Sequence, residues 1–115
     1  MTIEVHTLKD GNGNEVILFK LFGDLDAFSS KDFKNMVIDF AEKGHNRYIV
    51  DLSGTPFIDS SGLVALISLL KRARMMDGYV RLVGIQQSVK EIFEITGLDK
   101  VFEFYDTVEE ALQAG

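Results

Sequence analysis

Cysteine and tryptophan are absent from this 115-residue chain, and proline occurs once, at Pro56. Without cysteine there is no disulfide, no thiolate nucleophile and no zinc site built on cysteine, a composition that suits the cytoplasm. The longest apolar run, 63–70, is interrupted by Ser68 and is far shorter than the ~20 residues of a spanning helix. The first residues carry no basic region followed by an apolar core, so we expect no secretory signal.

Positive charge is also scarce. The chain has 12 Lys and Arg against 18 Asp and Glu, a formal net charge of −6. A nucleic-acid-binding protein normally carries a basic patch, and an anionic membrane attracts basic segments, so we expect neither partner. Because 46% of the residues are hydrophobic and the length is that of one ordinary domain, residues 1–115 are predicted to form a single domain with a real core.

The sequence motifs of several enzyme classes are missing. There is no G-x-S-x-G elbow, no Walker A loop and no G-x-G-x-x-G, and only two histidines. We therefore expect a protein that is not an enzyme and that uses neither a cofactor nor a metal. Residues 10–14 begin like a calcium loop, but Glu15 replaces its glycine and Leu21 its glutamate, so a hairpin turn is favoured.

Hydrophobic periodicity predicts nine elements in the order β-β-α-β-α-β-α-β-α. Such alternation after an initial hairpin is typical of an α/β fold with a mixed, mainly parallel sheet. The first helix is expected to be capped by Ser29 or Ser30, and the last by Thr107 with Glu110 completing a capping box. Gly78 is expected to end the second helix. The strands are predicted at 3–8, 16–22, 48–52, 79–83 and 101–105, and the inner helices at 60–76 and 88–96.

The start of the second helix carries a D-S-S-G block at 59–62, directly after a buried strand. If Asp59 is the N-cap, Ile58 and Leu63 have the spacing of a hydrophobic staple, and Ser60 takes the first helical position. A phosphate on Ser60 would meet free backbone N–H groups and the positive end of the helix dipole. The helix would tolerate that charge, whereas a surface docked on the unmodified serine would not.

Two questions about this segment stay open at the level of sequence. The block can be no more than a helix cap, although Gly62 inside the first turn is costly unless something approaches the backbone closely. The apolar residues over 63–70 leave almost no polar face, so the helix is either buried on all sides or covers a binding surface.

The chain resembles the STAS family, and within it the free-standing bacterial anti-sigma factor antagonists. The central match is I-V-D-L-S at 49–53 followed by F-I-D-S-S-G-L at 57–63. Supporting matches are G-D-L-D at 23–26 and F-E-I-T-G-L at 93–98, so the resemblance covers essentially the whole chain in the right order.

The resemblance implies a small α/β domain that binds an anti-sigma factor that is also a serine kinase, and so releases the sigma factor. It implies that phosphorylation of Ser60 abolishes binding and that a serine phosphatase restores it. ATP would belong to the kinase, and the protein would be a monomer or weak dimer. The implied docking residues are Gly23, Asp24, Asp26, Asp59, Ser60, Ser61, Gly62 and Leu63.

Two other functions remain as alternatives. One is a STAS scaffold module of a stress-signalling complex, in which Ser60 is never modified. The other is a receiver domain phosphorylated on an aspartate, for which Asp51 near the end of an apolar strand is the candidate. A receiver needs a pair of acidic residues after its first strand to hold Mg²⁺, whereas Asp24 and Asp26 follow the second strand and straddle Leu25.

Overall fold

A computed structural model describes residues 1–114, and the order of its elements is the predicted one. A short 3₁₀ turn, Leu98–Lys100, precedes the last strand. The strands are β1 (Thr2–Lys9), β2 (Glu15–Phe22), β3 (Arg47–Gly54), β4 (Tyr79–Val83) and β5 (Glu103–Tyr105), and the helices are α1 (Ser29–Glu42), α2 (Ser60–Met75), α3 (Gln87–Thr96) and α4 (Val108–Gln113).

The five strands form one sheet in sequence order, β1-β2-β3-β4-β5. β1 and β2 are antiparallel and joined by the predicted hairpin turn, in which the Asp10 carboxylate accepts hydrogen bonds from the amides of Asn12 and Asn14. The remaining pairs are parallel, because a helix crosses over between each strand and the next. The mixed, mainly parallel α/β sheet is confirmed.

Side chains alternate between two cores on opposite faces of the sheet. Ile17, Phe19 and Leu21 of β2 point into the larger core, which α1, α2 and α3 cover. Val16 and Leu18 point to the other face, where α4 packs. The central strands are thus buried on both sides, as their continuous apolar runs indicate. Within residues 1–114 no helix is both long and apolar enough to cross a bilayer.

The last strand is shorter than predicted. Val101 has a helical backbone conformation and its amide bonds to the carbonyl of Leu98, so pairing with β4 begins only at Glu103. Phe102 serves the core instead: it is 6% exposed, and its ring meets Phe93 edge-on with centroids 5.7 Å apart. Val101 is 40% exposed, so an apolar residue here marks neither strand pairing nor, at Val101, burial.

The end of α2 and the start of α4 each differ in one respect from the prediction. Asp77, not Gly78, adopts the left-handed conformation after α2, with φ +60°. Gly78 is needed because a Cβ there would overlap the carbonyl oxygen of Asn46. Thr107 does cap α4, accepting from the Glu110 amide at 3.1 Å. The Glu110 carboxylate, however, accepts from Asp106 and not from Thr107, so only half of the capping box forms.

A buried arginine ties α4 to the sheet. Arg81 of β4 is 6% exposed, and its Nη1 donates to the carbonyl of Ala111 at 2.8 Å. Its guanidinium lies 3.7 Å from the ring centroid of Tyr79, and its Nε is 3.7 Å from a carboxylate oxygen of Glu103. A cation at the end of a helix also complements the helix dipole.

Replacing Arg81 by methionine should lower the free energy of unfolding by about 1–3 kcal/mol, because the Ala111 carbonyl loses its buried donor. Urea denaturation followed by circular dichroism measures this change. Arg72→Met, on the exposed side of α2, is the matched control and should stay within about 0.5 kcal/mol of the parent protein. Equal stability of the two variants would contradict the anchoring role of Arg81.

Candidate functional site

The loop between β3 and α2 is held in place by two buried residues, Thr55 and Ile58. Thr55 is fully buried, and its hydroxyl donates to the carbonyl of Leu21 on the neighbouring strand β2 at 3.0 Å. Ile58 is also buried and forms a parallel bridge with Leu25. Between them Phe57 is 49% exposed. The two buried residues, with an exposed residue between them, fix the direction in which the chain enters α2.

Asp59 caps α2 as predicted. It has an extended backbone (φ −95°, ψ −175°), and its Oδ1 accepts from the amide of Gly62 at 3.0 Å. Its carbonyl accepts from the amide of Leu63 at 3.0 Å, which opens the helical ladder. Ser60 is therefore the first helical residue and is exposed, while Ser61 is half-buried.

Gly62 is required by packing within the chain. It is buried, and a Cβ at this position would overlap the carbonyl oxygen of Leu25 and lie 2.8 Å from Cγ2 of Ile58. The close approach that a glycine in the first turn predicts is therefore made by the chain itself, at Leu25. Leu63 is 9% exposed and belongs to the core. Gly62 and Leu63 thus shape the predicted docking surface from beneath and offer it little contact area.

The loop after β2 lies beside the start of α2, as the predicted site requires. Leu25 is fully buried, donates its amide to the carbonyl of Phe57 at 3.0 Å and accepts from the amide of Asp59 at 3.2 Å. Gly23 donates to the carbonyl of Gly54 at 2.9 Å. These bonds bring the segment 23–26 and the segment 57–60 together, with Asp24 exposed at the surface.

Asp26 caps α1, in place of the predicted Ser29 or Ser30. Its Oδ1 accepts from the amides of Phe28 at 3.0 Å and Ser29 at 3.1 Å, whereas the cap residue Phe28 makes no side-chain bond. The hydroxyl of Ser29 donates to the carbonyl of Asp24 at 2.8 Å. Hydrogen bonds from the Ser29 and Phe28 amides hold the pKa of Asp26 below its usual value.

Most of the apolar run at 63–70 of α2 is buried in the core and does not form a binding surface. Its buried side chains face the sheet, and Ile67 is packed partly against the same core. Val64 is the exception, with 52% of its surface exposed one turn after Ser60. The buried positions are Gly62, Leu63, Ala65, Leu66, Leu69, Leu70 and Ala73.

Exposed apolar side chains at the starts of α1 and α2 were missed at the level of sequence. Phe28 is 88% exposed at the start of α1, and Phe57 is 49% exposed before the cap of α2. A signal for Phe28 does exist: it falls outside the spacing of Phe33, Val37 and Phe40, which form the inner stripe of α1. Phe57 and Val64 give the chain on either side of Ser60 an apolar character, while Phe28 lines a separate groove with Asp24, Asp26 and Asp32.

The receiver alternative lacks its metal site. Nowhere in the described chain do three or more His, Asp or Glu side chains converge as metal ligands. Asp51 Oδ1 instead accepts from the amide of Ser53 at 2.9 Å. Asp26 is occupied at the start of α1, so the acidic residues that a receiver would combine have separate structural partners.

Comparisons with known proteins agree with this geometry. The profile of the STAS domain family matches residues 9–111. A Thermotoga neapolitana protein provisionally named an anti-sigma factor antagonist is 37% identical over 82 residues, 70% of this chain and 73% of that protein.

Two solved structures share the architecture. The crystal structure of a provisionally named anti-sigma factor antagonist from Thermotoga maritima has a TM-score of 0.83 and 28% identity, covering 93% of this chain and 90% of that one. The Bacillus protein SpoIIAA in its phosphorylated form has a TM-score of 0.74 at 19% identity, covering 96% of both chains, and is similar in fold.

Asp26→Asn should destabilise the protein near neutral pH, because the amide cannot supply the negative charge that favours two backbone N–H donors at a helix start. A carboxyl whose folded pKa is depressed contributes stability above its unfolded pKa and loses it as pH falls through the folded value. The stability gap between parent and variant should therefore close below about pH 4. Urea denaturation from pH 3 to pH 7 tests this. Asp24→Asn is the control: the Asp24 carboxylate accepts no hydrogen bond from residues 1–114, so near neutral pH this variant should stay within about 0.5 kcal/mol of the parent protein.

Proposed function

The chain belongs to the STAS domain family, and we propose that it is an anti-sigma factor antagonist switched by phosphorylation of Ser60. In its unphosphorylated form it binds an anti-sigma factor that is also a serine kinase, and this binding releases the sigma factor. A serine phosphatase returns the modified protein to the binding form. The protein itself is cytoplasmic, binds no cofactor and catalyses no reaction.

The observation that carries this proposal is the position of the Ser60 hydroxyl. Ser60 is exposed at the first helical position of α2, and its hydroxyl makes no hydrogen bond with any residue in 1–114. The neighbouring Asp59 carboxylate is committed to the Gly62 amide. A kinase can therefore reach Ser60 Oγ without unfolding the helix or breaking its cap.

The modification balances as an ordinary phosphoryl transfer. Ser60 Oγ forms a bond to the γ-phosphorus of ATP while the bond between that phosphorus and the β–γ bridging oxygen breaks. ADP leaves, and the hydroxyl proton passes to a base that the kinase supplies. The antagonist contributes only a positioned and exposed nucleophile.

Loss of binding follows from what surrounds Ser60. Val64 lies one turn further on the same side of α2, Phe57 lies just before the cap, and about half of each residue is exposed. A partner that packs on these apolar side chains must desolvate the serine between them. A phosphate brings about −1.5 to −2 charges at pH 7, which are costly to bury and repel acidic neighbours on the partner.

The fold itself should accept the phosphate. Negative charge at the first turn of a helix is favourable, so modification changes the surface of α2 and leaves its packing alone. The common fold of phosphorylated SpoIIAA supports this view. We expect the switch to act through the partner's affinity, with the structure of the antagonist nearly constant.

Incubation with ATP and the kinase captured by pull-down from the source cell should place one phosphate on Ser60, located by mass spectrometry. Ser60→Ala should abolish the modification, whereas Ser61→Ala should retain it because Ser61 is half-buried. Phosphate found only at another residue would overturn the assignment, and a captured partner that never modifies the chain would favour the scaffold alternative.

Affinity for the same kinase tests the consequence of the charge. Ser60→Ala should bind as well as the parent protein, and the phosphorylated parent should bind at least about 100-fold more weakly, a loss of roughly 2.7 kcal/mol. Ser60→Asp carries less charge than phosphate and should fall between the two. Isothermal titration calorimetry measures all three, and equal affinities would contradict a charge switch.

Phe28 lies beside the predicted docking residues Asp24 and Asp26 and tests that part of the docking surface. Phe28→Ala should weaken kinase binding about tenfold or more, because exposed aromatic side chains dominate the energy of protein interfaces. Met75→Ala is the matched control, since Met75 is 85% exposed near the far end of α2. The same calorimetric measurement compares them, and similar effects at both positions would place the interface elsewhere.

A further inference from the structure

The first turn of α1 separates two grooves of opposite charge. One groove is acidic: Asp24, Asp26 and Asp32 line it together with Phe28. The other lies between the starts of α1 and α2, has a volume of about 410 Å³, and contains Ser60. Its lining residues are Ala27, Ser30, Lys31, Lys34, Ser60, Ser61 and Val64, and no acidic residue of the described chain is among them.

The two lysines of the second groove share one face of α1. Lys31 and Lys34 are three residues apart, a spacing that places side chains next to each other on a helix. Neither ammonium has a carboxylate within 4.0 Å in residues 1–114. What distinguishes this pair is its position, because both lysines line the groove that contains Ser60 and no acidic residue of the described chain lines it with them.

We propose that a phosphate on Ser60 is held within the same chain by Lys31 and Lys34, in the groove between α1 and α2. This inference rests on the proposed phosphorylation of Ser60 and concerns what the modified protein does with its own charge. A phosphate offers three strong acceptor oxygens, and lysine ammonium groups bind such groups as point charges. The ion pairs would join the first turns of α1 and α2.

The electrostatic balance at the phosphate favours this arrangement. Asp59 is the adjacent acid and repels a phosphate on Ser60. The Gly62 amide holds its Oδ1 at the cap, so the repulsion acts from a fixed position and favours a phosphate that turns towards α1. The acids Asp24 and Asp26 line the other groove, on the opposite side of the first turn of α1. Lys31 and Lys34 are therefore the charged side chains that share a groove with Ser60.

Intramolecular capture has a functional consequence. A lysine pair occupied by the phosphate is no longer available to an acidic group on the kinase, so one modification would both add negative charge and cancel nearby positive charge. The phosphorylated surface thus differs from the unmodified one on both helices. Mimicry by aspartate would reproduce this poorly, because a carboxylate on a short side chain carries less charge and fewer acceptor oxygens.

Phosphoserine installed at position 60 during translation tests the proposal without any kinase. The second pKa of the phosphate, near 6 for a free phosphoserine, is read by ³¹P NMR titration. Nearby ammonium groups stabilise the dianion, so the pKa should be about 0.3–0.7 of a unit lower in the parent than in the Lys31→Met/Lys34→Met variant. The difference should shrink when the salt concentration is raised.

The control variant is Lys90→Met/Lys100→Met, which removes two exposed lysines remote from α1 in the sequence. Its phosphate pKa should match the parent within error. The proposal is overturned if the Lys31/Lys34 variant also matches the parent, or if the control produces the same increase. Failure of the kinase to modify Ser60 would defeat the proposed function while leaving this NMR comparison intact, so the two failures are distinguishable.

Discussion

The contact between Leu25 and the first turn of α2 is the constraint on which the site depends. The backbone of Gly62 packs against the carbonyl of Leu25 so closely that a Cβ does not fit. The same carbonyl accepts from the amide of Asp59, and Leu25 bridges Ile58. This contact fixes the loop after β2 against the start of α2, although the two are separated by a helix and a strand in the sequence. The positions of Asp24 and Ser60 follow from it.

The two helices that begin beside this contact are capped by aspartates in different positions. Asp59 caps α2 from the adjacent position, whereas Asp26 caps α1 across a turn and holds Phe28 at the surface. Each carboxylate therefore accepts hydrogen bonds from backbone N–H groups at a helix start, where a negative charge is stabilised. Ser60, which caps nothing, keeps a free hydroxyl. The segment is suitable for modification because Asp26 and Asp59 cap the helices, while the hydroxyl of Ser60 is not needed to hold the fold.

Much of this arrangement could be predicted from the sequence, because it depends on neighbours in the chain. The order of the elements, the cap at Asp59 and the exposure of Ser60 follow from periodicity and capping rules. The remainder depends on contacts between distant segments. Periodicity shows that α2 is apolar but does not show how much of it the sheet and α1 cover, so Val64 is not distinguished from Leu66. Gly62 signals a close approach, yet only the fold identifies Leu25 as the neighbour. The apolar run at 101–105 predicts a strand that includes Val101, but such a run does not reveal which of its residues pair, and pairing begins at Glu103.

A switch placed on this scaffold should act on the surface and not on the fold. The segment carrying Ser60 is held by buried Ile58 on one side and Leu63 on the other, and its backbone makes two hydrogen bonds with Leu25. Moving the segment would break both of these bonds. A phosphate at the start of the helix does not force such a movement, since the helix dipole favours its negative charge. A phosphate here would therefore alter the electrostatic and apolar character of a rigid surface. Partner discrimination then depends on the difference in binding free energy between two surfaces built on one backbone, and no conformational change of the antagonist is required.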